Sequence, residues 1–194
     1  MSLFIESICI LDGIPQNLKW HQERMNATLN HHFPHCSIDL SKIKHAPGSG
    51  KYKCRITYSC QIKSIDYVKY EPRIVNSLKL IEGPELEYSF KYAKRNCLDK
   101  LFNMRGDCDD IIIIKNNLVT DTYYANLAFL KDNQWYTPKT PFLKGTKRAK
   151  YIHSGRIKEI TITKDDLSQF SKYSLINAML ELGEITGSIE MIQS

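Results

Sequence analysis

The chain has 194 residues, 42% apolar and 25% charged, with nine glycines and seven prolines. This is the composition of a globular protein with its own core, enough for one large domain or two small ones, and neither internal repeats nor low-complexity tracts interrupt it. The net charge of +6 is scattered, suiting an anionic ligand; no RNP-like, helix-turn-helix or zinc-finger pattern points to nucleic acid, and no apolar run approaches the roughly 18–20 residues that span a bilayer.

The opening MSLFIESICIL has neither a charged leader nor a small-residue cleavage site, so a cytoplasmic location is expected. LFIESICI, residues 3–10, is rich in β-formers and runs into an Asp12-Gly13 turn. Leu18, His21, Met25 and Leu29 then recur at helical spacing, and the helix ends before Pro34. HHFPHC, residues 31–36, reads as that helix end entering a proline turn rather than as a metal site, because no second ligand cluster matches it. HAPGSG, residues 45–50, is a loop, and KYKCRITYSC and KSIDYVKYE are two further strands. LIEGPELEYSF, residues 80–90, carries Gly-Pro punctuation and reads as a connection between two halves.

A helix is expected over residues 95–105, with Leu98, Leu101 and Phe102 on one face and Gly106 as its stop. DDIIIIKNNLVTD is a strand, an Asn-Asn turn and a second strand, and ANLAFLKDNQWYTP is another hairpin. LKGTKR opens a helical stretch with Gly145 and Thr146. Thr163 and Asp166 have capping-box spacing ahead of a short helix. SLINAML and GSIEMIQS close the chain as strands. The six cysteines (Cys9, Cys36, Cys54, Cys60, Cys97 and Cys108) show no CxxC spacing and are expected to be reduced thiols. The fold class is α+β, with a small half over residues 1–83 and a larger half over 84–194, rich in antiparallel strands, that contains Lys91.

Three segments of the second half carry a resemblance. KYAKR (Lys91 to Arg95), DDIIIIKNNLVTDTYYANLAF (Asp109 to Phe129) and LKGTKR (Leu143 to Arg148) resemble, in that order, the motifs of the class IV aminotransferases, the fold type IV pyridoxal-phosphate enzymes. In the first half, FIESICILDGIPQNLKWHQERM resembles the family's strand, turn and helix ending in His-x-x-Arg, here His21 and Arg24. The resemblance covers nearly the whole chain and implies a two-domain fold like that of D-amino-acid aminotransferase, shortened by the N-terminal hairpin that usually precedes FIES.

The resemblance also implies a set of roles. Lys91 carries pyridoxal 5'-phosphate and shuttles a substrate proton, because its amine is a nucleophile when neutral and a base when released. Asp121 faces the pyridine nitrogen, whose proton makes the ring an electron sink; the family more often has Glu there. Gly145 and Thr146 hold the phosphate at a helix start, Arg24 adds a charged contact, and Arg95 and Asn126 lie at the cofactor. Where family members show Gly-Ile-Thr-Arg, this chain has Gly-Thr-Lys-Arg. Lys94 and Lys100 are a solvated helix face.

KYAKR, with Asn96 following it, and INAML (Ile176 to Leu180) lean toward 4-amino-4-deoxychorismate lyase, which releases p-aminobenzoate and pyruvate for folate synthesis. Arg55 and Arg73, or Lys53, are the cations offered to the carboxylates of such a small anionic substrate. The alternatives are a branched-chain or D-amino-acid aminotransferase using the same residues, and a cofactor-binding relative without turnover. Homodimerisation is implied, since family sites are completed by a partner chain.

Overall fold

The computed structural model describes residues 2–43, 48–83 and 88–194. Of the loop expected at 45–50, residues 45–47 lie outside the described residues, while Gly48 and Gly50 adopt φ of 110° and 106°. The chain forms two compact units, Met1–Pro72 with Phe90–Lys94, and Arg73–Ser89 with Arg95–Ser194.

In the first unit, β1 (Phe4–Leu11) turns through Asp12 and Gly13, both at positive φ (47° and 79°), into the short β2 (Ile14–Pro15). The helix α1 (Leu18–His32) follows, then β3 (Lys51–Tyr58) and β4 (Ile62–Lys69). The sheet runs β2-β1-β3-β4, all antiparallel. Helical periodicity puts His21, Met25, Thr28 and Leu29 on one buried stripe of α1. Met25 and Leu29 pack into one core with Phe4, Ile8 and Ile10 of β1 and Cys54, Ile56 and Tyr58 of β3.

Two expectations change here. Cys36 and Cys60 form a disulfide, with Cα atoms 5.2 Å apart and 24 positions apart in sequence. The fold brings the segment after α1 beside the β3–β4 turn, a proximity that no spacing motif encodes; Cys9, Cys54, Cys97 and Cys108 are free thiols. Moreover, Lys91 groups with the first unit rather than with the later half. Its carbonyl accepts from Ile5 N (2.9 Å), Ala93 N donates to Leu3 O (2.8 Å), and Phe4 bridges Tyr92, so residues 91–93 lie along the free side of β1.

In the second unit, β5 (Leu78–Glu82) is a strand, where the connecting segment from residue 80 was expected. It pairs in parallel with β6 (Asp110–Lys115), and residues 84–87 of that connection lie outside the described residues. The helix α2 (Asn96–Phe102) is shorter than expected and stops four residues before Gly106. β6 and β7 (Leu118–Thr122) form the Asn-Asn hairpin, with Asn116 and Asn117 at φ of 51° and 65°, the left-handed pair that a type I′ turn requires. β8 (Asn126–Lys131) and β9 (Gln134–Pro138) repeat the device through Asp132 and Asn133.

The helix α3 (Thr146–His153) leads to β10 (Lys158–Ile160), which runs parallel to β9. Thr163 and Asp166 make the expected reciprocal hydrogen bonds, but at the entry to a 3-10 turn, Asp165–Gln169, whose cap position is Lys164. β11 (Lys172–Ile176) pairs with β8, and with β12 (Thr186–Ser188). Asn177 to Leu180 leave the sheet as a turn, a 3-10 turn (Ile189–Met191) interrupts the last expected strand, and β13 (Ile192–Gln193) pairs with β5. The sheet is thus mixed. The run Ile111 to Ile114 of β6 is buried on both faces, as is usual for a strand with cover on each side.

Candidate active site

In the first unit the helix and the first strand meet around one carboxylate. Glu6 of β1 is wholly buried, and α1 presents His21 and Arg24 to it from successive turns. Arg24 grips it with two donors, Nε to Oε1 (2.8 Å) and Nη2 to Oε2 (2.5 Å), while His21 Nδ1 lies 2.7 Å from Oε2. Burial alone would raise the Glu6 carboxyl, but the Arg24 charge and the hydrogen bonds from His21 and Arg24 outweigh it and bring its pKa down to about 2. Burial holds the His21 imidazole below its usual range despite Glu6, and the nearby Arg24 and Lys91 charges push the same way. Lys91 is half-buried, fixed by its backbone beside β1, and close enough for its charge to act on His21.

In the second unit a second buried carboxylate organises the start of α3. Asp121, near the end of β7, is paired in register with Asn126, the first residue of β8. Asn126 Nδ2 donates to Asp121 Oδ1 (2.7 Å) and to the Leu143 carbonyl (2.8 Å), and Leu143 N donates to Asp121 Oδ2 (2.8 Å). Burial raises the Asp121 pKa to about 6, against the pull of the Leu143 N–H, Asn126 and the Arg148 charge. The carboxylate and the turn before α3 are therefore tied together by one amide side chain.

Gly145 caps α3 with ordinary dihedrals, φ −71° and ψ 142°, so backbone freedom is not its reason for being glycine. A Cβ there would collide with Asn126 Oδ1. The close approach of that amide demands the glycine. Thr146, Lys147 and Arg148 follow as the first turn of α3, all buried. The first N–H groups of a helix have no partner within it, which makes this turn a natural anion seat. Arg148 is spent on structure: Nη2 donates to the Pro138 carbonyl (2.7 Å) and to Glu159 (2.6 Å), and Nε to Thr137 Oγ1 (3.2 Å). Lys147 pairs with Glu181, which also accepts from the Tyr151 hydroxyl.

Arg95 and Arg73 belong to a neighbouring cluster of the second unit. Arg95 donates to the Tyr123 carbonyl and stacks 4.4 Å over the Tyr123 ring. Arg73 pairs with the buried Asp110 (2.8 Å) and lies over the Tyr124 ring at 4.9 Å. Burial raises the Asp110 pKa to about 6, opposed by the Ile111 N–H and by Arg73. Arg55 lies on β3 opposite Asp66 of β4.

Of the residues singled out from sequence, the structure brings Asp121, Asn126 and Gly145 together beside Thr146 in the second unit. It groups Arg24 and Lys91 around His21 in the first. Arg73 and Arg95 brace the loop between Asp121 and Asn126, and Arg55 is in neither cluster. Glu6 was missed, although a lone carboxylate inside the apolar run FIESICI was a signal. The Leu143 amide was missed too, and a backbone donor leaves no mark in the sequence.

Two units of this topology, built of an antiparallel and a mixed sheet with few helices, have the fold of the class IV aminotransferases. The profile of the family described as amino-transferase class IV matches residues 71–187, and the chain belongs to that family. An uncharacterised protein of Haemophilus influenzae Rd is 36% identical over 180 residues, covering 90% of this chain and 96% of its own. A solved structure from Haemophilus somnus 129PT, provisionally named a 4-amino-4-deoxychorismate lyase, is 32% identical, covers 94% of this chain and 98% of its own, and superposes with a TM-score of 0.86. A PLP-bound aminotransferase structure from Mycobacterium tuberculosis, named as hypothetical, shares the fold at a TM-score of 0.74 with 14% identity, over 98% of this chain and 81% of its own.

Proposed function

We propose that the protein is a pyridoxal-phosphate-dependent 4-amino-4-deoxychorismate lyase, a homodimer that releases p-aminobenzoate and pyruvate for folate synthesis. The observation that carries the cofactor is the Asp121–Asn126–Leu143 arrangement. It holds a buried carboxylate, fixed by Asn126 and the Leu143 N–H, beside a helix start with no Cβ at its cap. That donor set of the second unit fits two parts of pyridoxal phosphate: a carboxylate for the ring nitrogen and backbone N–H groups for the phosphate. The lyase reaction is favoured over aminotransfer by the similarity to the H. somnus protein over nearly the full length of both chains.

Bound to this chain, the cofactor would supply an electron sink. Lys91 Nζ would hold it covalently and, when free, would take a proton from the substrate ring and return one to the departing pyruvyl carbon. Asp121 would face the ring nitrogen and favour its protonated form. The Gly145 and Thr146 amides would hold the phosphate, and Arg24, oriented by Glu6, would add a charge-assisted contact. Arg95 acts through Tyr123, whose carbonyl and ring it holds. Arg55 and Arg73 are offered to the substrate carboxylates. Among the described residues no helix is long and apolar enough to cross a membrane.

The test is to present 4-amino-4-deoxychorismate to the pyridoxal-phosphate-loaded protein and follow p-aminobenzoate fluorescence. Product formation that depends on the cofactor is expected. No product, together with conversion to the pyridoxamine form by simple amino acids, would make the protein an aminotransferase. Neither change would leave a binding protein without turnover.

A further inference from the structure

Asn126 is the point where three parts of the second unit meet. Its Nδ2 serves both Asp121 Oδ1 and the Leu143 carbonyl, and its Oδ1 lies against the Cα of Gly145. Leu143 N closes the ring by donating to the other Asp121 oxygen. The amide is itself buried, and its β8 backbone is fixed in register with Asp121. A displacement of this one side chain therefore moves the carboxylate and the turn before α3 together.

We infer that Asn126 is a positioning residue that sets the distance between the Asp121 carboxylate and the Gly145 turn. The inference rests on the proposed function for what the two ends bind. Gly145 is its counterpart: the residue is glycine to admit the Asn126 amide, so the two positions form one steric and hydrogen-bonded pair. An Ala at Gly145 is compatible with the local backbone and meets an obstacle only in Asn126.

That pairing gives a test separable from general loss of structure. In the cofactor-free protein, NMR titration of the Asp121 side-chain carboxyl should show a midpoint near 6. Asn126→Ala removes a donor that favours the charged form, so the midpoint should rise by about one unit. Gly145→Ala alone should weaken pyridoxal phosphate binding about tenfold, read by cofactor absorbance, because a buried contact must give way. In the Asn126→Ala background the same glycine change should cost less than about threefold, since the obstacle is gone. Asn126→Ser, which keeps a shorter polar side chain, provides a second background if the alanine variant folds poorly, and the same signs are expected.

Equal losses from Gly145→Ala in all backgrounds would overturn the inference. So would an Asp121 titration that neither Asn126 variant moves. If the wild-type protein bound no pyridoxal phosphate at all, the proposed function would fall, while the Asp121 titration would still decide whether Asn126 sets that carboxylate.

Discussion

Glu6→Gln is the substitution whose consequence the structure allows to be worked out most fully. Glu6 is wholly buried and receives two donors from Arg24 and one contact from His21. Its pKa falls from 4.5 to about 2. At about 1.4 kcal/mol per unit, a shift of that size is about 3 kcal/mol of stability at neutral pH. A depressed carboxylate contributes above its unfolded pKa and loses that contribution as pH falls through the folded value. Glu6→Gln should therefore destabilise the protein by about 3 kcal/mol at pH 7, because it removes the buried carboxylate charge that Arg24 grips with two donors. The deficit should shrink as pH falls from 4.5 toward 2. Urea unfolding followed by circular dichroism, for both proteins across that range, measures it. A deficit below about 1 kcal/mol at pH 7, or one that stays constant with pH, would refute the reasoning.

Asp110 has the opposite sign. Its folded pKa of about 6 lies above the ordinary 3.8, so its contribution is full below 3.8 and is lost as pH rises through 6. Relative to wild type, Asp110→Asn should gain about 3 kcal/mol between pH 4 and 7, read from urea midpoints; a difference that does not vary with pH would contradict this. For the Cys36–Cys60 link, which closes a separation of 24 residues, Cys36→Ser should cost about 3 kcal/mol. Wild type treated with a dithiol should lose a similar amount, and unchanged unfolding in both samples would count against the bond.

Much of the fold was legible because its signals are local. Asn116-Asn117, Asp132-Asn133 and Asp12-Gly13 mark three tight turns by residues that tolerate positive φ, and each is a turn in the structure. The stripe His21, Met25 and Leu29 gave α1 through its period alone. What escaped depends on contacts between distant residues. β5 is a strand because β6 and β13 hydrogen-bond to it, whereas Gly83-Pro84 locally read as a connection. The disulfide needs α1 and the β3–β4 turn to be in place first. Lys91 was singled out by the motifs downstream, but its attachment to β1 runs through backbone groups that carry no sequence signature. At the second-unit site, Asp121, Asn126 and Gly145 were named from the family pattern, and the structure adds the reason they occur together. Glu6 was the avoidable omission, since a carboxylate in an apolar strand needs a buried cation, and Arg24 was already marked.

The central claim is that Lys91 is the residue to which pyridoxal phosphate attaches. Incubation with the cofactor, reduction with borohydride and peptide mass spectrometry test it directly. The account predicts a yellow protein whose reduced label sits on the Lys91 peptide and disappears in Lys91→Ala. Label on Lys94, or no cofactor absorbance at all, would contradict it.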